Sequence, residues 1–356
     1  MPNRYPLSIG PEKVGGAHRP LQFLGKGWYD RYKLQKRSAF PVNIVLLESL
    51  GVSDETLNAY AKPLVEAGHT FAAYPKDTDP SVMIERAKDA DIVMLANMPL
   101  PGEVIAACDR LKFIDVAFTG VDHVDLEAAR AKGIAVSNAA GYSTQAVAEL
   151  CVCMALSLLR NLPQVSQRCR TGGTKDGLVG SELGGKTVGI VGTGAIGLRT
   201  AQLFAAFGCK ILAYAPRPKE NAKGIVEYVS LETLLRESDI VSLHCPLNDS
   251  SRGLIDAQKL GLMKSSALLL NAARGPVVDS QALAEALDSG AIAGAGIDVF
   301  EVEPPLPADH PLLHCKNILV TPHMAFASRE SMEARCKIVF ENIEKWLAGE
   351  QVNTIL

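Results

Sequence analysis

The chain has 356 residues, 47% of them hydrophobic and 21% charged, with a formal net charge of −3. That is enough for about two domains of ~150 residues with packed cores, and it argues against disorder. The charge balance supplies no basic surface for nucleic acid or an anionic membrane, no apolar run reaches the ~18 residues of a membrane span, and no charged start with an apolar core marks a signal peptide.

Residues 1–40 are rich in proline and glycine, and their many Lys and Arg face only Glu12 and Asp30. This reads as an extended N-terminal arm, and as a poor presequence helix. From Val42 short apolar runs alternate with helical patterns. VNIVLLE, TFAAY, DIVMLAN, LKFIDVA and IAVSN are predicted strands, and Ser53 and Asp54 start a helix before LNAYAKPLVEAG. Strands apolar on both faces, alternating with helices, predict a parallel sheet covered on both sides. TQAVAELCVCMALSLLRN (144–161) is a nearly all-apolar helix, expected to bury itself against a domain or a second subunit. A second series follows: KTVGIVG, KILAYA, DIVSLHC, ALLLNAA, AGIDVF and NILVTPH. A long amphipathic helix, SRESMEARCKIVFENIEKWLAG, comes last. The eight cysteines are scattered, with no paired CxxC, so no metal site is expected and the thiols read as reduced, in a cytoplasmic protein. Cys151 and Cys153 on one helix point apart.

Within the second series, GIVGTGAIG contains Gly192-x-Gly194-x-x-Gly197 between a strand and a helix, the context a dinucleotide-binding turn requires. Gly192 permits the turn, Gly194 lets the backbone approach a pyrophosphate, and Gly197 allows close helix–strand packing. Roughly 20 residues on, an acid normally reads the ribose 2′-hydroxyl. Here KILAYA ends in Ala215, followed by Arg217 and Lys219. Alanine accepts no hydrogen bond, and two cations suit a 2′-phosphate, so NADP is expected ahead of NAD. The plain alternative is a pair of solvated loop cations.

Three ionisable residues stand out near strand ends. Arg274, in LLLNAARGPVV, has the planar fork that holds carboxylate and carbonyl oxygens together. His323, in VTPHMAF, carries an imidazole, the side chain suited to giving or taking a proton. Glu303, in EVEPP, suits orientation of an imidazole. Each alone also fits a salt bridge, a helix cap or an exposed acid.

In order, GSELGGKTVGIVGTGAIG, LHCPLNDSSRGLI, LLLNAARGPVVDSQAL, AGAGIDVFEVEPP and NILVTPH resemble the D-isomer-specific 2-hydroxyacid dehydrogenase family, from about Val42 to the C-terminus. The resemblance implies an α/β fold of two doubly wound parallel-sheet domains, a flavodoxin-like substrate domain (41–143 and 325–356) and a Rossmann cofactor domain (144–324). It implies a hydride exchanged between a nicotinamide cofactor and a 2-keto or D-2-hydroxy acid such as glyoxylate, hydroxypyruvate or phosphoglycerate. Arg274 then binds the substrate's carboxylate and carbonyl, His323 is the acid/base and Glu303 its partner; Glu301 does not directly precede the proline as the family's acid does. Asp298 matches the residue that holds the nicotinamide carboxamide. Ala195, Ile196, His244, Cys245, Pro246 and Ala272 are expected along the cofactor with the three glycines. Thr119 and Gly120, in VAFTGVDHVD, match the loop whose backbone receives the carboxylate, and Asn97, in LANMP, a second loop at the cleft. A homodimer is implied. Phe326 stands where a small residue is commoner and is expected to narrow the pocket. CRTGGTKDGLVG lacks an expected tryptophan. A rival is a cofactor-sensing binding protein like the C-terminal-binding-protein corepressors, which resemble the family down to the triad. Formate oxidation on this fold is disfavoured, since those enzymes carry glutamine where Glu303 stands.

Overall fold

The computed structural model describes residues 40–356. The expected N-terminal arm therefore lies outside the described residues, apart from Phe40. Two parallel sheets organise the rest. The first has strands β1 (Asn43–Leu46), β2 (Thr70–Ala73), β3 (Ile92–Leu95), β4 (Phe113–Val116) and β5 (Ala135–Asn138), in the order β2-β1-β3-β4-β5. The second has β6 (Thr187–Val191), β7 (Lys210–Tyr214), β8 (Glu227–Tyr228), β9 (Ile240–Leu243), β10 (Leu268–Asn271), β11 (Gly294–Ile297) and β12 (Ile318–Val320), in the order β12-β11-β10-β9-β6-β7-β8. The first is the flavodoxin-like order and the second the Rossmann order with an added strand. β3, β4, β9, β10 and β11 are buried at every position, as strands covered on both faces must be.

Helix starts follow the local chemistry. Ser53 caps the helix Asp54–Glu66 by accepting from the Thr56 N–H, and Asp279 caps Ser280–Ser289, which Gly290 ends in a left-handed conformation. The apolar helix Thr144–Leu159 packs on the second sheet of its own chain. β11 is built from small residues beneath it: a Cβ on Gly296 would come within 3.0 Å of the Met154 sulfur. The next helix, Leu162–Arg170, buries none of its residues. Among the described residues no single helix is long and apolar enough to cross a membrane. These two helices pass that test only together, across a 61° bend.

The helix Arg329–Leu347 returns to the first sheet. Trp346 stacks on Phe113 at 5.1 Å, and Phe340 lies against Tyr60 and Phe71. Its Asn342 donates to Asp115 (2.8 Å) and to the Asn138 carbonyl (3.0 Å), while the Asn138 side chain donates to the Thr119 carbonyl (2.7 Å). Burial pushes the Asp115 carboxyl well above its ordinary range. A buried polar chain thus runs from the C-terminal helix to the loop after β4. That loop and the loops following β3, β6, β9, β10 and β12 sit at the carboxyl edges of the two sheets, where open α/β folds bind ligands.

Candidate active site

The glycine loop follows β6, next to the point where the second sheet's order reverses. Gly192 has φ +99°, and a Cβ there would lie 2.7–2.8 Å from the backbone of His244 and Cys245. At Gly197 a Cβ would lie 2.0 Å from the Gly192 carbonyl oxygen, whereas at Gly194 it would meet nothing within 4 Å. Gly192 and Gly197 are therefore needed for packing, and Gly194 faces open space. Gly194 also caps the helix Ala195–Ala206 without a side-chain bond, and the N–H groups of Thr193 to Ile196 find no acceptor among the described residues. Open space bounded by free N–H groups at a helix start fits a pyrophosphate. His244 and Cys245 form the wall behind the loop. Burial pushes the His244 imidazole down to about 4, so it is neutral at pH 7, and it pairs with the Ser242 hydroxyl at 2.8 Å. Burial also raises the Cys245 thiol.

Beyond β7, Ala215 is half-buried, and Arg217 and Lys219 are exposed. Neither cation has an ion-pair partner among the described residues, yet the nearby acids do: Glu220 pairs with Lys223 and Glu227 with Lys210. Tyr228 braces this loop against the glycine loop, donating to the Thr193 hydroxyl (2.8 Å) and accepting from the Lys219 N–H (3.1 Å).

Arg274 follows β10 by way of Ala272 and Ala273. Asn271, buried at the strand end, shapes the turn by donating to the Arg274 carbonyl and accepting from the Ala273 N–H. The guanidinium reaches the first sheet, where it meets the Asp122 carboxylate: Nε lies 3.1 and 3.3 Å from its two oxygens and Nη2 lies 3.0 Å from Oδ1. It also lies against Gly120, where a Cβ would fall 1.7 Å from Nη2. The N–H groups of Thr119, Gly120 and Val121 find no acceptor among the described residues. Asn97, half-buried, makes no side-chain hydrogen bond among the described residues, and the loop around it hangs from buried Glu48, which accepts from the Ala96 and Met98 N–H groups at 2.7 Å.

His323 follows β12 with φ +52°, a left-handed conformation unusual for a residue with a side chain. Such strain of ~1–3 kcal/mol persists where surroundings over-determine the backbone. Here Asp298 does so. It is fully buried, and it accepts from the Thr321 hydroxyl (2.6 Å) and from the N–H groups of Met324 and Ala325 (2.9 Å each), while its carbonyl takes the His323 N–H (2.7 Å). Three of the carboxylate's four lone-pair sites thus hold the histidine loop. His323 Nδ1 lies 2.9 and 3.0 Å from the Glu303 oxygens. The His323 ring, by its hydrogen bond and charge, holds the Glu303 carboxyl below its ordinary range against the opposing effect of burial. Glu301 is used elsewhere, with His310 and Ser280. Phe118 and Phe326 stand edge-on to the imidazole at 5.6 and 5.7 Å, and Tyr142 completes the cluster, with Arg335 over the Tyr142 and Phe326 rings.

Residues 152–325 match the family model for the D-isomer specific 2-hydroxyacid dehydrogenase, NAD binding domain. The chain is 36% identical over 292 residues to a hydroxypyruvate reductase of Blautia hydrogenotrophica, covering 78% of this chain and 88% of that protein. It is 38% identical over 290 residues to a glyoxylate reductase of Thermofilum pendens, covering 79% and 85%. The chain belongs to the D-isomer-specific 2-hydroxyacid dehydrogenases. It is an NAD(P)-dependent oxidoreductase on an α/β fold. A solved acyclic imino acid reductase in complex with NADPH and D-Arg is similar in structure, with a TM-score of 0.80 at 29% identity over 88% of this chain and 100% of that one.

For this enzyme the structure brings Arg274, Glu303 and His323 to one carboxyl edge of the second sheet, with Gly120 of the first sheet against the guanidinium and Thr119 next to it in the chain. Asp122, Thr193 and Tyr228 were not singled out from the sequence. Asp122 sits inside the quoted VAFTGVDHVD motif, but its partner is 152 residues away. Tyr228 lies on a two-residue strand that no periodicity marks.

Proposed function

We propose that this enzyme reduces a small 2-keto acid to the D-2-hydroxy acid, preferring NADPH. The observation that carries the reading is the Glu303–His323 pair at the same carboxyl edge of the second sheet as Arg274, whose charge acts on Glu303. Arg274 binds the substrate's carboxylate and polarises its keto oxygen. The Glu303 carboxylate accepts a hydrogen bond from the Nδ1–H and fixes the ring, so Nε2 faces the substrate and delivers its proton to that oxygen, leaving a neutral imidazole. A bound reduced nicotinamide supplies the hydride to C2, so a hydride and a proton together convert C=O to CH–OH. The Gly192–Gly197 loop holds the pyrophosphate, with Ile196, His244, Cys245, Pro246 and Ala272 along the cofactor. Asp298 holds the histidine loop and has one lone-pair site left for the carboxamide. Phe118 and Phe326 crowd His323, with Tyr142 packed against both, and favour a short substrate side chain, in keeping with relatives named for glyoxylate and hydroxypyruvate.

Preference for NADPH rests on Ala215, which offers no carboxylate to repel a 2′-phosphate, and on Arg217 and Lys219, whose side chains have no ion-pair partner among the described residues. A charge-assisted hydrogen bond contributes about 1.5–3 kcal/mol, a preference of roughly one to two orders of magnitude. The exposed helix Leu162–Arg170, with Leu162 and Val179 uncovered, supports a homodimer, and eight free cysteines are in keeping with a cytoplasmic setting. The test is kcat/KM for NADPH against NADH in the wild type, Ala215→Asp and Arg217→Ala. NADPH is expected to lead by at least tenfold, with the lead lost in both variants. A wild type that prefers NADH overturns the cofactor reading.

A further inference from the structure

We infer that Asp122 is the positioning residue of the substrate site: it grips one edge of the Arg274 guanidinium so that two parallel donors are left at its head for the substrate. The inference rests on the proposed role of Arg274. It follows from counting donors. A guanidinium carries five N–H groups in a rigid plane. The Nε–H and the neighbouring N–H of Nη2 form one edge, and both go to Asp122, at 3.0–3.3 Å. One N–H of Nη1 goes to the Ala273 carbonyl at 2.8 Å. One N–H on Nη1 and one on Nη2 remain, the number of donors that binds two oxygens at once.

Asp122 therefore occupies the edge and leaves the head free. Arg274 arrives from the second sheet and Asp122 from the first, so the donors are aimed only while the two sheet edges face one another. The contact is a firm one. Burial pushes the Asp122 carboxyl up, but the hydrogen bonds and charge of Arg274 outweigh it and leave it below its ordinary range. Among the described residues no other Lys or Arg pairs with Asp122: Lys76 lies beside Glu48, and Arg335 is buried behind the aromatic cluster, donating to the Leu50 carbonyl.

A carboxylate paired with Arg274 invites the opposite idea, that it competes with the substrate. The two roles differ in sign. A competitor, once removed, lowers the KM; a positioning residue, once removed, raises it. The experiment is a double-mutant cycle in the full chain: wild type, Asp122→Ala, Arg274→Ala and both together, with Asp122→Asn as the conservative variant. Steady-state kinetics with glyoxylate and NADPH give kcat and KM, and calorimetry gives the affinity for oxamate, a non-reducible mimic, with the cofactor bound. Asp122→Ala is expected to raise KM and weaken oxamate at least tenfold, with NADPH affinity and Tm unchanged and Asp122→Asn intermediate. In the Arg274→Ala background the same change should do nothing more. A KM at or below the wild-type value, or an equal loss in both backgrounds, overturns the inference. A wild type inert toward every keto acid tried overturns the proposed function instead, and the oxamate cycle then still decides the pairing.

Discussion

Replacing Gly120 by alanine isolates the guanidinium position from the fold. The new Cβ would lie 1.7 Å from Arg274 Nη2, 2.9 Å from its Cζ and 2.8 Å from Asp122 Oδ1. Separations under 3.0 Å are not found for real Cβ atoms, so the guanidinium must retreat by roughly 1 Å or more. The clash is with the far end of a flexible side chain, and Gly120 does not have positive φ. The fold therefore tolerates the change, and a slight gain follows from the stiffer unfolded chain, about 0.4–1 kcal/mol. Catalysis does not tolerate it. A misplacement of ~1 Å costs about 100-fold, equivalent to about 2.7 kcal/mol of transition-state stabilisation. The assay is kcat/KM for glyoxylate at saturating NADPH, alongside Tm and the Kd for NADPH. The expected result is a fall of about two orders of magnitude with Tm and Kd preserved. A Gly120→Ala enzyme within threefold of wild type would refute the placement of the guanidinium against this loop.

Glu303→Gln should move the pH profile. The Glu303 carboxyl is held below its ordinary range and favours the imidazolium that delivers the proton, so reduction should fall off at a lower pH in the variant; superimposable profiles count against the pairing. His244 is neutral in the folded state, at about 4, while an unfolded histidine titrates near ~6.5. The unfolded chain therefore binds an extra proton between these values, and stability is lost as pH falls from ~6.5 towards 4. Wild-type Tm should drop more steeply over that range than Tm of His244→Gln; parallel curves contradict it. Tyr228→Phe removes the brace between Thr193 and Lys219, worth about 1 kcal/mol, so KM for NADPH should rise about fivefold with KM for the keto acid unchanged. A rise in both would point to general loosening.

The two sheets were legible because their strands are short apolar runs, the central ones buried at every position, with only the two-residue β8 leaving no signal, and the glycine loop because its three glycines answer to local geometry. Glu303 and Glu301 are two residues apart in one motif; the resemblance favoured Glu303 by its place before the proline, and the fold gives each its own partner: Glu303 meets His323, while Glu301 meets His310 and Ser280. Other contacts left no local trace. Asp122 pairs with Arg274 across 152 residues, and Arg335 reaches the Leu50 carbonyl across 285. Phe118 and Tyr142 were hidden for the same reason. Each reads as an ordinary apolar residue until the fold gathers them around His323. Asp298 gained a structural role that its motif does not advertise, because the bonds it makes go to a loop beyond the next strand.

The most direct measurement incubates the purified full chain with NADPH and hydroxypyruvate, follows NADPH oxidation, and determines product configuration by chiral chromatography, with Arg274→Ala and His323→Ala in parallel. The expected result is keto-acid-dependent oxidation yielding D-glycerate, with activity reduced by at least two orders of magnitude in either variant while both still bind NADPH. Formation of the L-product, or variants as active as the wild type, would contradict the assignment of substrate binding to Arg274 and proton transfer to His323.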